Sequence, residues 1–372
     1  MVYASTVGKS CENKVGRSRK NDILVLSVAA PDKSQFFFSL RRGLEVIILA
    51  PKTLDEKSVF GLVQRIWTCP DDDCQIDIAK MTYVRPFGAL VLATELANRY
   101  ERTGKSVRLF GLSEKIKAHS YLGHVGFFKA AYFEIGKAVG EAKGSSSYIP
   151  FRRISESELI KEQADLDDEF GISKPIQYFI ENKAQSMSRI ITCKSDEVTS
   201  IAYCIREVIR NVFEHGGASD CFVFGQKWDT RVVELGIADK GRGVLRSLQE
   251  KHNVTQDCEA LRMCIEPGIS GKDTSLTDEW SNSGFGLYVL SELGKRFGKF
   301  MLCSGSQGIV CSKGKCEIID CSFHGTVLQL NLNLNRINNI ATIIDDIIRE
   351  GEAIAQSQGR VVKASQKSRI IW

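Results

Sequence analysis

The 372-residue sequence has no long hydrophobic run. Its longest, such as Val46 to Ala50, fall far short of the roughly 20 apolar residues that a bilayer-spanning helix requires. The opening MVYASTVGKSCENK has no apolar signal core. Together these absences lead us to expect a soluble, cytoplasmic chain with no membrane partner. Charge of one sign is not in excess. A formal charge of +5 is mild and does not by itself point to nucleic acid. There is no C-x-x-C pair among the 12 cysteines. Without a secretion signal, those cysteines are expected to be reduced thiols and not a disulfide framework. Cys303, Cys311, Cys316, Cys321 and His324 do cluster. The run reads as a β-hairpin with turns at Gly305, Gly308 and Lys313-Gly314, with a zinc site as the alternative. What is present is ordinary for a globular protein, 43% hydrophobic and 26% charged. The length points to two domains.

The most informative stretch is Ile201 to Gly217, IAYCIREVIRNVFEHGG. Val198, Ile201, Ile205, Val208, Ile209 and Val212 recur at three and four, which makes one apolar stripe on a helix. Glu207 and Asn211 are four apart and share another face. His215 lies a turn further on, and Gly216-Gly217 ends the helix. The plain alternative for the polar pair is a half-exposed helix face.

Two downstream segments bear on that choice. In VVELGIADKGRGV, Val233, Leu235 and Ile237 alternate along a strand, and Asp239 continues their parity. An acid therefore points to the core side where the strand ends, followed by Gly241 and Gly243. A buried carboxylate needs a donor, and an amino group on a flat ligand would supply one. In SGFGLYVLSELGKRF, Gly284 and Gly286 precede a helix whose apolar face is Leu287, Leu290, Leu293 and Phe297. A glycine turn at a helix N-terminus suits phosphates, because its N–H groups are unpaired and the dipole end is positive.

In this order the segments resemble the nucleotide-binding motifs of the GHKL ATPase superfamily, which includes gyrase B, histidine kinases and MutL. The resemblance covers roughly Cys193 to Leu332. E-x-x-x-N is Glu207 and Asn211; D-x-G-x-G is Asp239, Gly241 and Gly243; G-x-G-L is Gly284, Gly286 and Leu287. A closing G-T on a strand is Gly325-Thr326. The form E-x-x-x-N-x-x-x-H-G is most similar to the anti-sigma-factor serine kinases. The resemblance implies an α+β sandwich spanning 191–335 that binds ATP and Mg²⁺, with a lid over 244–283. It implies that Asp239 accepts from the adenine amino group with support from Thr326, and that Asn211 ligates magnesium. Backbone N–H groups around Ser283, Gly284, Phe285 and Gly286 would hold phosphates, and Glu207 would act as general base. Lys272 in the lid is either a γ-phosphate contact or a solvated lysine.

Leu44 to Lys137 alternates strands (Leu44–Leu49, Cys74–Ile78, Val107–Phe110) with helices (Leu54–Trp67, Pro86–Thr103, Ser113–Val125), which implies a layered α/β domain over 44–137. It resembles a STAS domain, the fold of anti-anti-sigma factors. The turn that carries an acceptor serine there is Val84-Arg85-Pro86-Phe87-Gly88 here, with no serine. Residues 1–43 read as a basic arm with an edge strand from Ile23 to Ala29. Gly136 to Ser157 reads as a Gly/Ser-rich linker, and a charged, partly helical bridge follows within 138–190. In 336–372, an amphipathic helix from Ile337 to Ile354 would dock on its own domain or form a homodimer. The segment from Ala353 on has four basic residues and no acid, and is either a plain tail or a protein-partner site. No histidine is followed by an acid as in a phosphoacceptor helix. Three readings stay open: an ATP-driven switch with slow hydrolysis, a serine/threonine kinase acting on a STAS-like partner, and a nucleotide-tuned interaction module without turnover.

Overall fold

Apolar residues alternating with short helices produce a six-stranded sheet in the N-terminal half. Its strand order is β1 (Gly16–Arg17), β2 (Leu24–Ala29), β3 (Gln35–Arg41), β4 (Glu45–Leu49), β6 (Gln75–Asp77) and β8 (Arg108–Phe110). A small parallel pair, β5 (Thr53–Leu54) and β7 (Tyr83–Val84), sits beside it. The computed structural model describes residues 16–17, 24–29, 35–41, 45–70, 74–170, 173–271, 284–360 and 362–364. Strands β4, β6 and β8 are parallel and are joined by helices α1 (Val59–Thr68) and α2 (Pro86–Thr103). The antiparallel β2 and β3 extend the sheet upstream of residue 44. β2 is flanked on both sides, by β1 and β3, so it is not the edge strand expected from its sequence.

Helix α1 starts later than its apolar pattern predicts. Asp55 accepts the Ser58 N–H and the Ser58 hydroxyl accepts the Asp55 N–H, so a turn replaces the first helical residues. Helix α3 (Lys117–Val125) likewise begins after a turn at Ser113–Ile116. The short α4 (Phe127–Ala130) follows it.

The second sheet is fully antiparallel, in the order β12 (Gly298–Ser312), β13 (Lys315–Asn333), β11 (Val232–Asp239), β10 (Asp220–Lys227), β9 (Tyr148–Ser155). Strand β9 falls inside the stretch expected to be a linker. Its Ile149, Phe151 and Ile154 are buried. Pro150 is tolerated because β9 is an edge strand whose register with β10 shifts at that point. The charged bridge is two helices, α5 (Glu156–Phe170) and α6 (Ile176–Ile191). Helix α6 packs along α7 (Ser195–Asn211), whose first turn carries Asp196 and Glu197 to suit the dipole. Helices α8 (Gly243–Leu248), α9 (Asp257–Met263) and α10 (Gly286–Phe297) complete the helical layer. Helix α11 (Ile340–Ser357) buries Ile340, Ile344, Ile347 and Ile348 against its own domain, in contact with α7 and α10. That stripe is therefore occupied within the chain and is not free to join a second copy.

Both faces of this sheet are covered. Val233, Leu235, Ile237, Leu328 and Leu330 face the helices. Phe222, Phe224, Ala238, Met301 and Val327 face the N-terminal half, where α2 lies across β10, β11 and β13. Helix α2 is buried around most of its circumference (Phe87, Leu90, Val91, Leu92 and Leu96 among its buried residues), as suits a helix between two layers. Its start is set by Pro86 and its end by a left-handed Gly104. The fold is therefore mixed α and β, with one central antiparallel sheet between two helical layers. Among the described residues no helix is long and apolar enough to cross a membrane.

One cysteine expectation is overturned. The β12–β13 hairpin turns at Lys313-Gly314 as expected, whereas Gly305 and Gly308, also expected as turns, lie within β12, where the register shifts at Gly305; the hairpin places Cys311 directly opposite Cys316. The two form a disulfide, because a tight hairpin brings cross-strand Cβ atoms within bonding reach. Among the described residues no group of three or more His, Cys, Asp or Glu side chains is arranged to hold a metal.

Candidate functional site

Helix α7 does not stop at Asn211 but widens into a π-turn over Val212–Gly216, capped by left-handed Gly217. The wider turn carries His215 to the same opening as Asn211. Both line a cleft of about 70 Å³, together with Gly284, Gly286 and Leu287 from the start of α10 and with Val244 from α8. That volume is well below the roughly 300–1,000 Å³ of small-ligand sites.

The D-x-G-x-G turn is tied to this helix end. The Arg242 N–H donates to the Gly216 carbonyl (2.8 Å), and Arg242 Nε donates to the His215 carbonyl (2.8 Å). Gly241 is glycine because a Cβ there would stand 2.2 Å from the Gly216 carbonyl oxygen. The turn is fixed on its other side by Ser304, whose hydroxyl accepts the Val244 N–H (3.0 Å) and donates to the Gly325 carbonyl (2.8 Å). Sequence reasoning missed Ser304, which has no motif and is recognisable only through β12 pairing with β13.

Asp239 ends β11, directly opposite Thr326 on β13. It is 4% exposed and does not line the cleft itself; it sits one layer deeper, beyond Gly216. Its Oδ1 accepts the Gly241 N–H (2.8 Å). Burial pushes its carboxyl up to about 7, against the opposing pull of the Gly241 N–H and of the Thr326 backbone and hydroxyl. These donors are neutral, and among the described residues no cation adds to them.

Glu207 is also buried, and its surroundings differ. Its Oε1 accepts from Arg206 Nε (3.0 Å) and from a terminal Arg206 nitrogen (2.5 Å). Arg210 stands 3.9 Å from the same oxygen and pairs with Glu214. Burial opposes the Arg210 charge, but Glu207 and Glu214 outweigh it and raise its pKa. The other oxygen, Oε2, faces the start of α10, where a Cβ at Gly286 would lie 2.5 Å from it. Helix and glycine turn therefore approach each other through this one missing carbon. Phe285 is fully buried and packs edge-on to Tyr288, anchoring the turn.

The expected lid is partly ordered into helices. His252 Nε2 contacts the Ser270 carbonyl (3.1 Å), and the Gly268 N–H donates to Gly284 (3.1 Å). Lys272 and Ser283 lie outside the described residues. The C-terminal segment reaches the lid: Arg360 pairs with Glu266 at 2.9 Å, and Val362 packs over Gly268.

Of the residues singled out from sequence, the structure gathers Asn211, Gly284, Gly286 and Leu287 around one cleft, with Glu207 and Phe285 directly behind. It places Asp239, Gly241, Gly243 and Thr326 together at the adjoining end of the sheet. No protein-family model matches this chain, and no curated protein matches it. Its chemistry therefore has to be read from its own geometry.

Proposed function

We propose that the chain binds ATP with Mg²⁺ at this end of the sheet and hydrolyses it slowly, so that nucleotide state sets the arrangement of the lid. The observation that carries the reading is a cleft lined by Asn211 and by a glycine turn at a helix N-terminus, with Glu207 directly behind it and Asp239 buried one layer deeper on neutral donors. The Asp239 carboxylate accepts the adenine amino group, with Thr326 beside it. Asn211 contributes an amide oxygen to magnesium, which prefers oxygen ligands. N–H groups at the start of α10 take the phosphates. Glu207 aligns the attacking water. In this reading the domain belongs with the GHKL ATPases and the N-terminal half with STAS-like domains. A protein partner engages the C-terminal segment, which already touches the lid through Arg360 and Val362.

Calorimetry with Mg-ATP tests this. We expect measurable binding to the wild-type chain and a loss of about a hundredfold or more in Asp239→Asn, because a carboxamide offers the amino group a competing donor. Equal affinity in the two proteins refutes the site. Glu207→Ala should keep binding and lose release of labelled phosphate. Transfer of label to an added protein, in place of free phosphate, identifies a kinase.

A further inference from the structure

We propose that Arg206 is the positioning residue for Glu207, holding one carboxylate oxygen so that the other alone is presented to the phosphate end of the cleft. This rests on the nucleotide reading above.

Adjacent residues on a helix point about 100° apart and do not face each other. Arg206 nevertheless folds across α7 to reach its neighbour. Its guanidinium is 1% exposed, lies over the Tyr203 ring at 4.8 Å from the centroid, and has Glu181 of α6 behind it at 3.7 Å. The guanidinium thus stands between two acids, Glu207 at 3.0 and 2.5 Å and Glu181 at 3.7 Å.

Their form is informative. An arginine paired only for stability gains most by bridging both carboxylate oxygens with two parallel bonds. Here Nε and a terminal nitrogen both donate to Oε1, and Arg210 approaches that same oxygen. Oε2 is left toward Gly286. The Arg206 fork thus holds Oε1, with the Arg210 charge 3.9 Å from the same oxygen. A group that aligns water must offer its lone pair at a set angle. Burying such a network is costly, and its one-sided geometry is what a positioning role requires.

The test uses the full chain and separates ATP affinity from phosphate release. Arg206→Gln should bind Mg-ATP within about threefold of wild type and release phosphate at least tenfold more slowly, since misplacement of an aligning group costs rate and not ground-state binding. Arg206→Lys keeps the charge without the fork and should recover part of the rate. An unchanged rate in Arg206→Gln overturns the inference, as does a parallel fall of affinity, rate and Tm in both variants. If Arg206→Gln does not fold, Arg206→Lys decides: slowed release at unchanged affinity supports the role, and full rate overturns it. A wild-type chain that binds or turns over no ATP removes the nucleotide reading and this inference with it. Normal wild-type turnover beside a fully active Arg206→Gln removes this inference alone.

Discussion

Strand β11 carries two buried acids five residues apart, and they are treated in opposite ways. Glu234 is fully buried on the face toward α2. Arg85 reaches it with two donors (3.0 and 2.6 Å), the Phe87 N–H at the start of α2 adds a third (3.3 Å), and Gln329 a fourth (3.0 Å). Asp239, at the strand's end on the other face, has only neutral donors, and its carboxyl is raised to about 7. A buried acid with a cation and a helix start is complete and joins two halves of the molecule. One left with neutral donors is held by hydrogen bonds alone, and burial keeps its carboxyl raised. α2 bears a counterpart, Glu95, which is fully buried and receives Trp67 Nε1 (2.9 Å) and the His324 N–H (2.8 Å).

Three perturbations test this contrast. Arg85→Ala strands a charge at Glu234 and should destabilise the chain by about 3 kcal/mol, seen as a lower urea midpoint. A change under 0.5 kcal/mol would show that the latch is redundant.

Asp239→Asn should act in the opposite direction without ligand. The folded-state carboxyl sits above its unfolded value, so its contribution is favourable at low pH and is lost as pH rises through about 7. Relative to wild type, the variant should therefore gain on the order of 2 kcal/mol between about pH 5.5 and pH 8.5. Thermal melts across that range check it, and a pH-independent difference contradicts the assignment. The smallest effect belongs to the half-exposed rim of the same interface. Lys299 pairs with Glu56 at 2.8 Å; burial raises the Glu56 carboxyl, but the lysine's hydrogen bond and charge outweigh it, and the net shift is downward. Lys299→Ala should cost less than about 1 kcal/mol, and less still in high salt.

Much of the site was legible in the one-dimensional pattern, because period and spacing are local. The parity of Val233, Leu235, Ile237 and Asp239 set which side of β11 the acid would occupy. The i, i+4 spacing of Glu207 and Asn211 set a common helix face, and Gly284 and Gly286 marked the start of α10. Tyr148–Ser155 was read as linker, since a strand broken by Pro150 and preceded by GEAKGSSS shows no alternation strong enough to stand alone. Its identity came from pairing with β10. The reduced state expected of Cys311 and Cys316 gave way to a bond once the hairpin set them opposite each other.

The amino-acid order by itself determined most helices, the glycine turns and the residues that share a face, because these follow from backbone geometry within a few residues. Tertiary structure alone decided that α2 lies between two layers and that Arg85 meets Glu234. It also decided that α11 docks on its own domain, and that the Arg206 guanidinium comes to lie between Glu207 and Glu181. Those outcomes depend on which distant surfaces meet, and on the low dielectric that makes each buried charge choose a partner.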